Sequence, residues 1–337
     1  MLACLMVICM HAPMAPQMEG EVPAMIRVFM VYSSYWTIPC VCLFFAVSGA
    51  LLLPSQIQPD ESWRWLKKRL KKVVIPTIVW TLFYLTVNVL TTEESVADVV
   101  RQVCSIPFSR QGHGILWFMY TLIGLYLVTP VISPWIQNCG KRTLQIYLGL
   151  WAVTLCYPIL TSFVEINETP YGILYYLSGF LGYYVLGYYL HTYGLKGKTI
   201  WWMILLACLM PLRILYKVFL DGRFDFGDEI LSYLGIVCLL MLLCWWKMCK
   251  AVSPFVENHQ TIVSAITLVS NLSFGIYLMH AFVMLDCIQK LTCMITNYYL
   301  QTVTTIGCTV TATIIVSYII SLLPFGDYVI GFKQKRK

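Results

Sequence analysis

The residues best suited to chemistry in this sequence are two histidines that lie inside apolar stretches, His11 and His280. A polar ring in such a stretch needs a partner and therefore tends to face the interior of a helix bundle. A neutral imidazole can take a proton from a hydroxyl as a general base. The alternative is a histidine that bonds across helices in a structural role. Spacing leaves both interpretations open at His11 and favours the structural one at His280.

The largest basic cluster directly precedes an apolar stretch that begins at Val73. Trp63, Leu66 and Leu70 share one helical face, which predicts an amphipathic helix lying on the cytoplasmic membrane surface. One interpretation of the cluster is a topology anchor. The other is a docking face for a polyanionic ligand, such as the phosphates of a nucleotide-like cofactor. The cations are Arg64, Lys67, Lys68, Arg69, Lys71 and Lys72.

The elements that position these side chains must lie in a membrane, because the composition excludes a soluble enzyme and a disordered chain. Of the 337 residues, 59% are hydrophobic and 12% are charged, and the mean hydropathy is +0.74. An ordinary soluble domain has about 25% charged residues. The sequence predicts an all-α, polytopic membrane helix bundle of about ten transmembrane helices, in a single domain over 1–337. The predicted segments lie at about 1–14, 30–53, 73–91, 115–137, 144–163, 173–190, 200–220, 230–246, 262–285 and 299–323.

Basic residues are concentrated in alternate connections between these segments. Sixteen of the 23 Lys and Arg lie near 54–72, 138–143, 191–199, 247–261 and in the tail 324–337, and five lie in the opposite loops. By the positive-inside rule, both termini are predicted to be cytoplasmic. The same loops account for the net charge of +7, so we expect a lipid bilayer and no nucleic acid as a partner.

The 14 cysteines predict neither a disulfide framework nor a metal site. Most lie within apolar segments, where cysteine behaves as a small hydrophobic residue. Cys40 and Cys42 are two residues apart, a spacing that does not place both side chains on one helical face. No histidine or carboxylate nearby completes a ligand set, so we expect no bound metal.

The first segment is too short to cross a bilayer. Only twelve residues precede Pro13, and a helix rises ~1.5 Å per residue. We therefore expect that residues upstream of Met1 are missing from this chain.

Six short motifs follow one another along the sequence. They are His11, residues 44–52 with Ser48, Arg69 followed by Pro76, residues 116–130 with Leu116-Trp117-Phe118-Met119-Tyr120, residues 182–189, and residues 273–280 with Tyr277 and His280. In this order they resemble the acyltransferase-3 family of integral-membrane O-acyltransferases, in particular the branch that acetylates bacterial surface polysaccharides. Each motif is weak by itself, and the resemblance depends on their common order over nearly the whole chain.

The resemblance implies an acyl-CoA donor that approaches from the cytoplasm and a sugar hydroxyl as acceptor, on a cell-surface or lipid-linked glycan. His11 matches the family's catalytic histidine in the first helix. Arg69 matches the first position of an Arg-x-x-Arg pattern associated with donor binding, and Lys72 occupies the second. Lysine keeps the charge but loses bidentate phosphate geometry. Arg64 and Lys68 extend the predicted donor-binding set.

The family also has an arginine before this histidine, at a position that would precede Met1. The matched motifs supply five candidates for the substrate pocket, which are Ser48, Trp117, Tyr120, Tyr277 and His280. The expected activity is acetyl transfer from acetyl-CoA, used as a substrate with no permanently bound cofactor. The expected location is the inner (cytoplasmic) membrane of the cell.

Acyl transfer needs a thioester carbonyl held against a hydroxyl, a base for the hydroxyl proton, and a donor for the developing oxyanion. We hypothesise that His11 is the base, in surroundings that keep its imidazole neutral. Direct attack by the sugar and passage through an acyl-histidine intermediate both remain open. Three other functions also remain open: a succinyl or other acyltransferase of the same family, a transporter or flippase for a lipid-linked sugar, and a noncatalytic partner in glycan assembly.

Overall fold

The computed structural model of the chain describes residues 1–14, 24–91, 95–111, 114–161, 163–216, 219 and 227–334. It is 80% helical, and the described residues contain no strand. Within that part of the chain, six helices are long and apolar enough to cross a membrane. They are Val28–Leu52, Ser62–Thr91, Gly114–Asn138, Ile236–Glu257, Gln260–Thr292 and Tyr298–Leu322. The predicted all-α membrane bundle is confirmed, whereas the count of ten helices stays a prediction.

Prolines divide two of the predicted segments. Segment 30–53 consists of helix α2 (Ala24–Trp36) and helix α3 (Pro39–Leu52), and Pro39 begins the second of these. Segment 200–220 contains helix α10 (Thr199–Leu209), and Pro211 precedes the short helix α11 (Leu212–Leu215). Proline has no N–H to donate and a fixed φ, so it suits the start of a helix better than its interior.

The contacts within the chain define two compact units, and the prediction of a single domain stays a prediction. Unit 1 comprises Met1, Ile57–Pro130 and Ala265–Lys337, and unit 2 comprises Leu2–Gln56 and Val131–Ser264.

Unit 2 is built around the close pairing of α3 with helix α9 (Leu181–Tyr193). A Cβ at Gly49 would overlap the carbonyl oxygen of Tyr184, and one at Gly187 would overlap that of Ala46. Small residues of this kind allow two helix backbones to approach closely inside a membrane. The unit also contains α2, α10 and α11, together with α1 (Leu2–His11), α7 (Lys141–Thr154), α8 (Tyr157–Leu160), α12 (Gly227–Ile230) and α13 (Ile236–Glu257).

Unit 1 contains helix α4 (Ser62–Thr91), which includes the basic cluster and the apolar stretch in one continuous helix. The prediction was an amphipathic helix lying on the cytoplasmic membrane surface, and it did not foresee that the cluster and the apolar stretch form one helix. Pro76 does not end α4. It has no N–H for the Lys72 carbonyl, and its ring also crowds that carbonyl. The chain turns back against this carbonyl at Gly331, which has a φ of +68°.

Helix α16 (Tyr298–Leu322) shows how unit 1 suits a bilayer. One face carries hydroxyl side chains at every fourth residue, all buried, and the opposite face exposes large apolar side chains such as Val303 and Ile315. In lipid the apolar face can be the outer one, because the surrounding solvent is itself apolar. The unit is completed by α5 (Val96–Ser105), α6 (Trp117–Asn138) as far as Pro130, α14 (Gln260–Phe282) from Ala265, a π-helix (Val283–Ile288), α15 (Gln289–Thr292) and α17 (Gly326–Ile330).

Candidate functional site

His11 is the last residue of α1 and is half-buried. The helix before it is almost enclosed by protein, since Cys4, Val7 and Ile8 are each at most 2% exposed. It packs against α2 and α3, and a short 3₁₀ turn, Ala12–Met14, follows it. The imidazole is therefore placed at the end of a largely buried helix, and part of its surface remains accessible.

Tyr233 connects the end of α1 to two other helices of unit 2. Its hydroxyl donates to Sδ of Met10 at 3.3 Å, directly before His11. Its carbonyl accepts from the Tyr183 hydroxyl of α9 at 2.9 Å and from the Cys42 thiol of α3 at 3.5 Å. One residue thus holds three helices around the position of the histidine.

Ser48 lies on α3, directly before the close approach of α3 and α9 at Gly49. It is half-buried, as a residue at the margin of a tight helix pair should be. Among the predicted site residues, His11 and Ser48 belong to unit 2 and the others belong to unit 1.

The predicted donor-binding residues lie on the first turns of α4. Arg64, Lys68 and Lys72 follow one another at intervals of four residues, so they form one row along the helix. Arg69 lies beside this row, with its guanidinium 5.7 Å from the ring centroid of Trp65. All four cations are exposed. The row offers several charges to one anion, and donor binding stays a prediction.

Helix α17 packs against α4 next to this row. The Trp80 indole N–H donates to the Val329 carbonyl at 3.0 Å, and Lys71 Nζ donates to the Tyr328 hydroxyl at 3.2 Å. The Lys71 ammonium also lies 4.9 Å from the centroid of the Tyr328 ring, a cation–π distance. The sequence prediction missed this helix, which is five residues long.

The two motifs at 116–120 and 273–280 meet in unit 1. The Tyr277 hydroxyl donates to the carbonyl of Ile115, and the rings of Tyr277 and Phe118 lie 5.1 Å apart. Trp117 is half-buried beside Phe118. The Tyr120 hydroxyl, by contrast, donates to the Ile106 carbonyl at 2.9 Å.

His280 is fully buried in this cluster. Its Nδ1 lies 2.5 Å from the carbonyl oxygen of Tyr277, so Nδ1 must carry the proton. In the neutral ring this leaves the lone pair on Nε2. Tyr84, which the sequence prediction missed, holds the same turn of α14 from α4, because its hydroxyl donates to the Leu278 carbonyl at 2.9 Å. The general rule that a buried tyrosine hydroxyl needs an acceptor could have indicated Tyr84, but not its partner.

A comparison with known protein families shows which family the chain belongs to. A family model described as an acyltransferase domain, that of acyltransferase-3, matches residues 1–322. The chain belongs to the acyltransferase-3 family. No curated protein and no solved structure matches it.

As an acyltransferase-3 protein the chain is a membrane acyltransferase, with multiple apolar helices to hold it in the bilayer. The match contains all the predicted site residues, from His11 to His280. It ends before α17, so the helix that braces the basic row lies outside the part of the chain shared with the family model.

Proposed function

We propose that the protein transfers an acetyl group from cytoplasmic acetyl-CoA to a hydroxyl of a cell-surface or lipid-linked glycan. The observation that carries this proposal is the position of His11, a half-buried imidazole at the end of a buried first helix in an acyltransferase-3 chain. The proposal also places both termini in the cytoplasm and the protein in the inner membrane, following the distribution of basic residues.

In the proposed reaction the sugar hydroxyl oxygen attacks the thioester carbonyl carbon. His11 removes the hydroxyl proton, the carbon–sulfur bond breaks, and the proton passes to the coenzyme A thiolate. In the two-step route the His11 nitrogen attacks the thioester carbon first, the carbon–sulfur bond breaks, and coenzyme A leaves as its thiol with the ring proton. The sugar hydroxyl then attacks the acetyl carbon, the carbon–nitrogen bond breaks, and the hydroxyl proton passes to the ring. The cations Arg64, Lys68, Arg69 and Lys72 bind the phosphates of the donor, and no permanently bound cofactor takes part.

The test is transfer of radiolabel from acetyl-CoA to glycan by the purified full-length protein in lipid nanodiscs. His11→Ala should abolish transfer while the protein remains folded and inserted. His191→Ala is the matched control, because His191 is exposed at the end of α9. Near-normal transfer by His11→Ala would remove His11 from the mechanism.

The same assay separates the remaining alternatives. Transfer from succinyl-CoA but not from acetyl-CoA would change the donor and keep the reaction class. Movement of a lipid-linked sugar across the bilayer with no label on the sugar would support a transporter. If neither acyl transfer nor sugar movement occurs, the result would support a noncatalytic partner.

A further inference from the structure

A cleft of about 290 Å³ opens in unit 2, lined by residues between the end of α7 and the start of α13. Two tyrosines, Tyr157 and Tyr175, line it. The polar groups include Glu168, Glu229, Ser178 and Ser232. Both glutamates and Ser178 are exposed, so the cleft is open to solvent.

Two hydrogen bonds hold the walls of this cleft in place. The Ile236 N–H donates to the Leu155 carbonyl at 3.1 Å and so ties the start of α13 to the end of α7. The Trp151 indole N–H donates to the Gly179 carbonyl at 3.0 Å and fixes the opposite loop. The cleft is therefore largely formed before any ligand arrives, as ligand sites usually are.

The chemistry of the lining suits a neutral, polyhydroxylated ring. A tyrosine offers an apolar face to the C–H groups of a sugar and a hydroxyl at its edge. An ionised carboxylate only accepts hydrogen bonds, and it has room for two hydroxyl donors. Among the described lining residues none is basic, so the cleft lacks the groups that would bind the phosphates of a coenzyme A donor. Its volume is near the lower limit of about 300 Å³ for ligand sites, which suits one sugar residue.

The cleft is connected to the position of His11 through Tyr233. Ser232 and Leu234 line the cleft, and Tyr233 between them reaches Met10 with its hydroxyl. The same turn of chain thus forms a wall of the cleft and contacts the residue next to His11. A ligand seated in the cleft would lie against the element that holds the end of α1.

From this arrangement we infer that the cleft binds one neutral sugar residue of the acceptor glycan. The inference rests on the proposed function and deepens it, since it assigns the acceptor to unit 2 and to residues outside the matched motifs. Glu229 and Glu168 accept hydrogen bonds from the sugar hydroxyls, and Tyr157 packs against the ring.

The test measures binding of three fluorescently labelled tetrasaccharides, maltotetraose, cellotetraose and chitotetraose, to the full-length protein in nanodiscs. At least one should bind, and Glu229→Gln should weaken that binding about tenfold, the loss expected for a charged hydrogen bond. Tyr157→Ala should weaken it as well. Glu165→Gln is the matched control, an exposed glutamate of the same loop region that does not line the cleft.

The outcomes separate this inference from the proposed function. Absence of binding by all three probes, or equal binding by wild type and Glu229→Gln, overturns the cleft as a sugar site. Binding that EDTA abolishes and calcium restores overturns it too, because the carboxylates would then hold a cation. Sugar binding that depends on Glu229, together with no acetyl transfer to any probe, supports the cleft and overturns only the proposed enzyme activity.

Discussion

At the scale of single residues, the hydroxyl of Tyr277 is the clearest link between two motifs of unit 1. It donates to the carbonyl of Ile115, a residue that is only 7% exposed. Tyr277→Phe removes this donor and leaves the carbonyl with one partner fewer, which should cost about 1–3 kcal/mol of stability. Thermal unfolding in detergent measures the loss. Tyr171→Phe, at a side chain that is 91% exposed, should leave the melting temperature unchanged.

The row of cations on α4 leads to a prediction about donor affinity. Arg69→Ala should raise the KM for acetyl-CoA at least about tenfold, since a hydrogen bond to a charged group contributes about 1.5–3 kcal/mol. Lys72→Arg should lower this KM, because a guanidinium can bind a phosphate with two parallel hydrogen bonds.

Lys67→Ala is the control for these two variants. Lys67 is exposed on the same turns of α4, but the helical period places it about 160° around the helix from Arg69. A KM that changes equally in Arg69→Ala and Lys67→Ala would indicate a general effect of surface charge and contradict a specific donor site.

At the scale of elements, the pairing of α3 with α9 depends on two glycines. Gly187→Ala would place a methyl group into the backbone of Ala46, and overpacking of this kind costs about 1–3 kcal/mol. We expect a lower melting temperature and less inserted protein. Gly149→Ala is the matched control, because a Cβ there meets nothing within 4 Å and the site lies in helix α7. An unchanged melting temperature in Gly187→Ala would show that the two helices can separate without loss.

At the scale of the whole molecule, the sequence predicted the class of fold because hydropathy is a property of long segments. The helix at 298–322 was predicted within one residue at either end. The break before Pro39 and the short helix α17 were missed, since each depends on a few residues and on the packing around them. The continuity of α4 through Pro76 was missed for the same reason.

The candidate site was predictable in its residue types but not in its contacts. A histidine in an apolar stretch is visible in the sequence, and so is a run of cations. The partners Tyr233 and Tyr84 are not, because they come from distant parts of the chain and share no local pattern with the residues they hold. The cleft lined by residues between 154 and 234 was missed for a further reason, since its polar residues lie in loops and one-turn helices that are too short to show periodicity.

The orientation of the chain can be tested with its own cysteines. Cys104, Cys249 and Cys293 are exposed, and the basic loops predict Cys249 in the cytoplasm and the other two on the outer side. A membrane-impermeant maleimide applied to intact cells should therefore label Cys104 and Cys293, as found by peptide mass spectrometry. Cys249 should become labelled only after the cells are broken. Buried thiols such as Cys40 and Cys42 should stay unlabelled in both cases and serve as the internal control. Labelling of Cys249 in intact cells would reverse the orientation, and the basic row on α4 would then face away from the cytoplasmic pool of acyl-CoA.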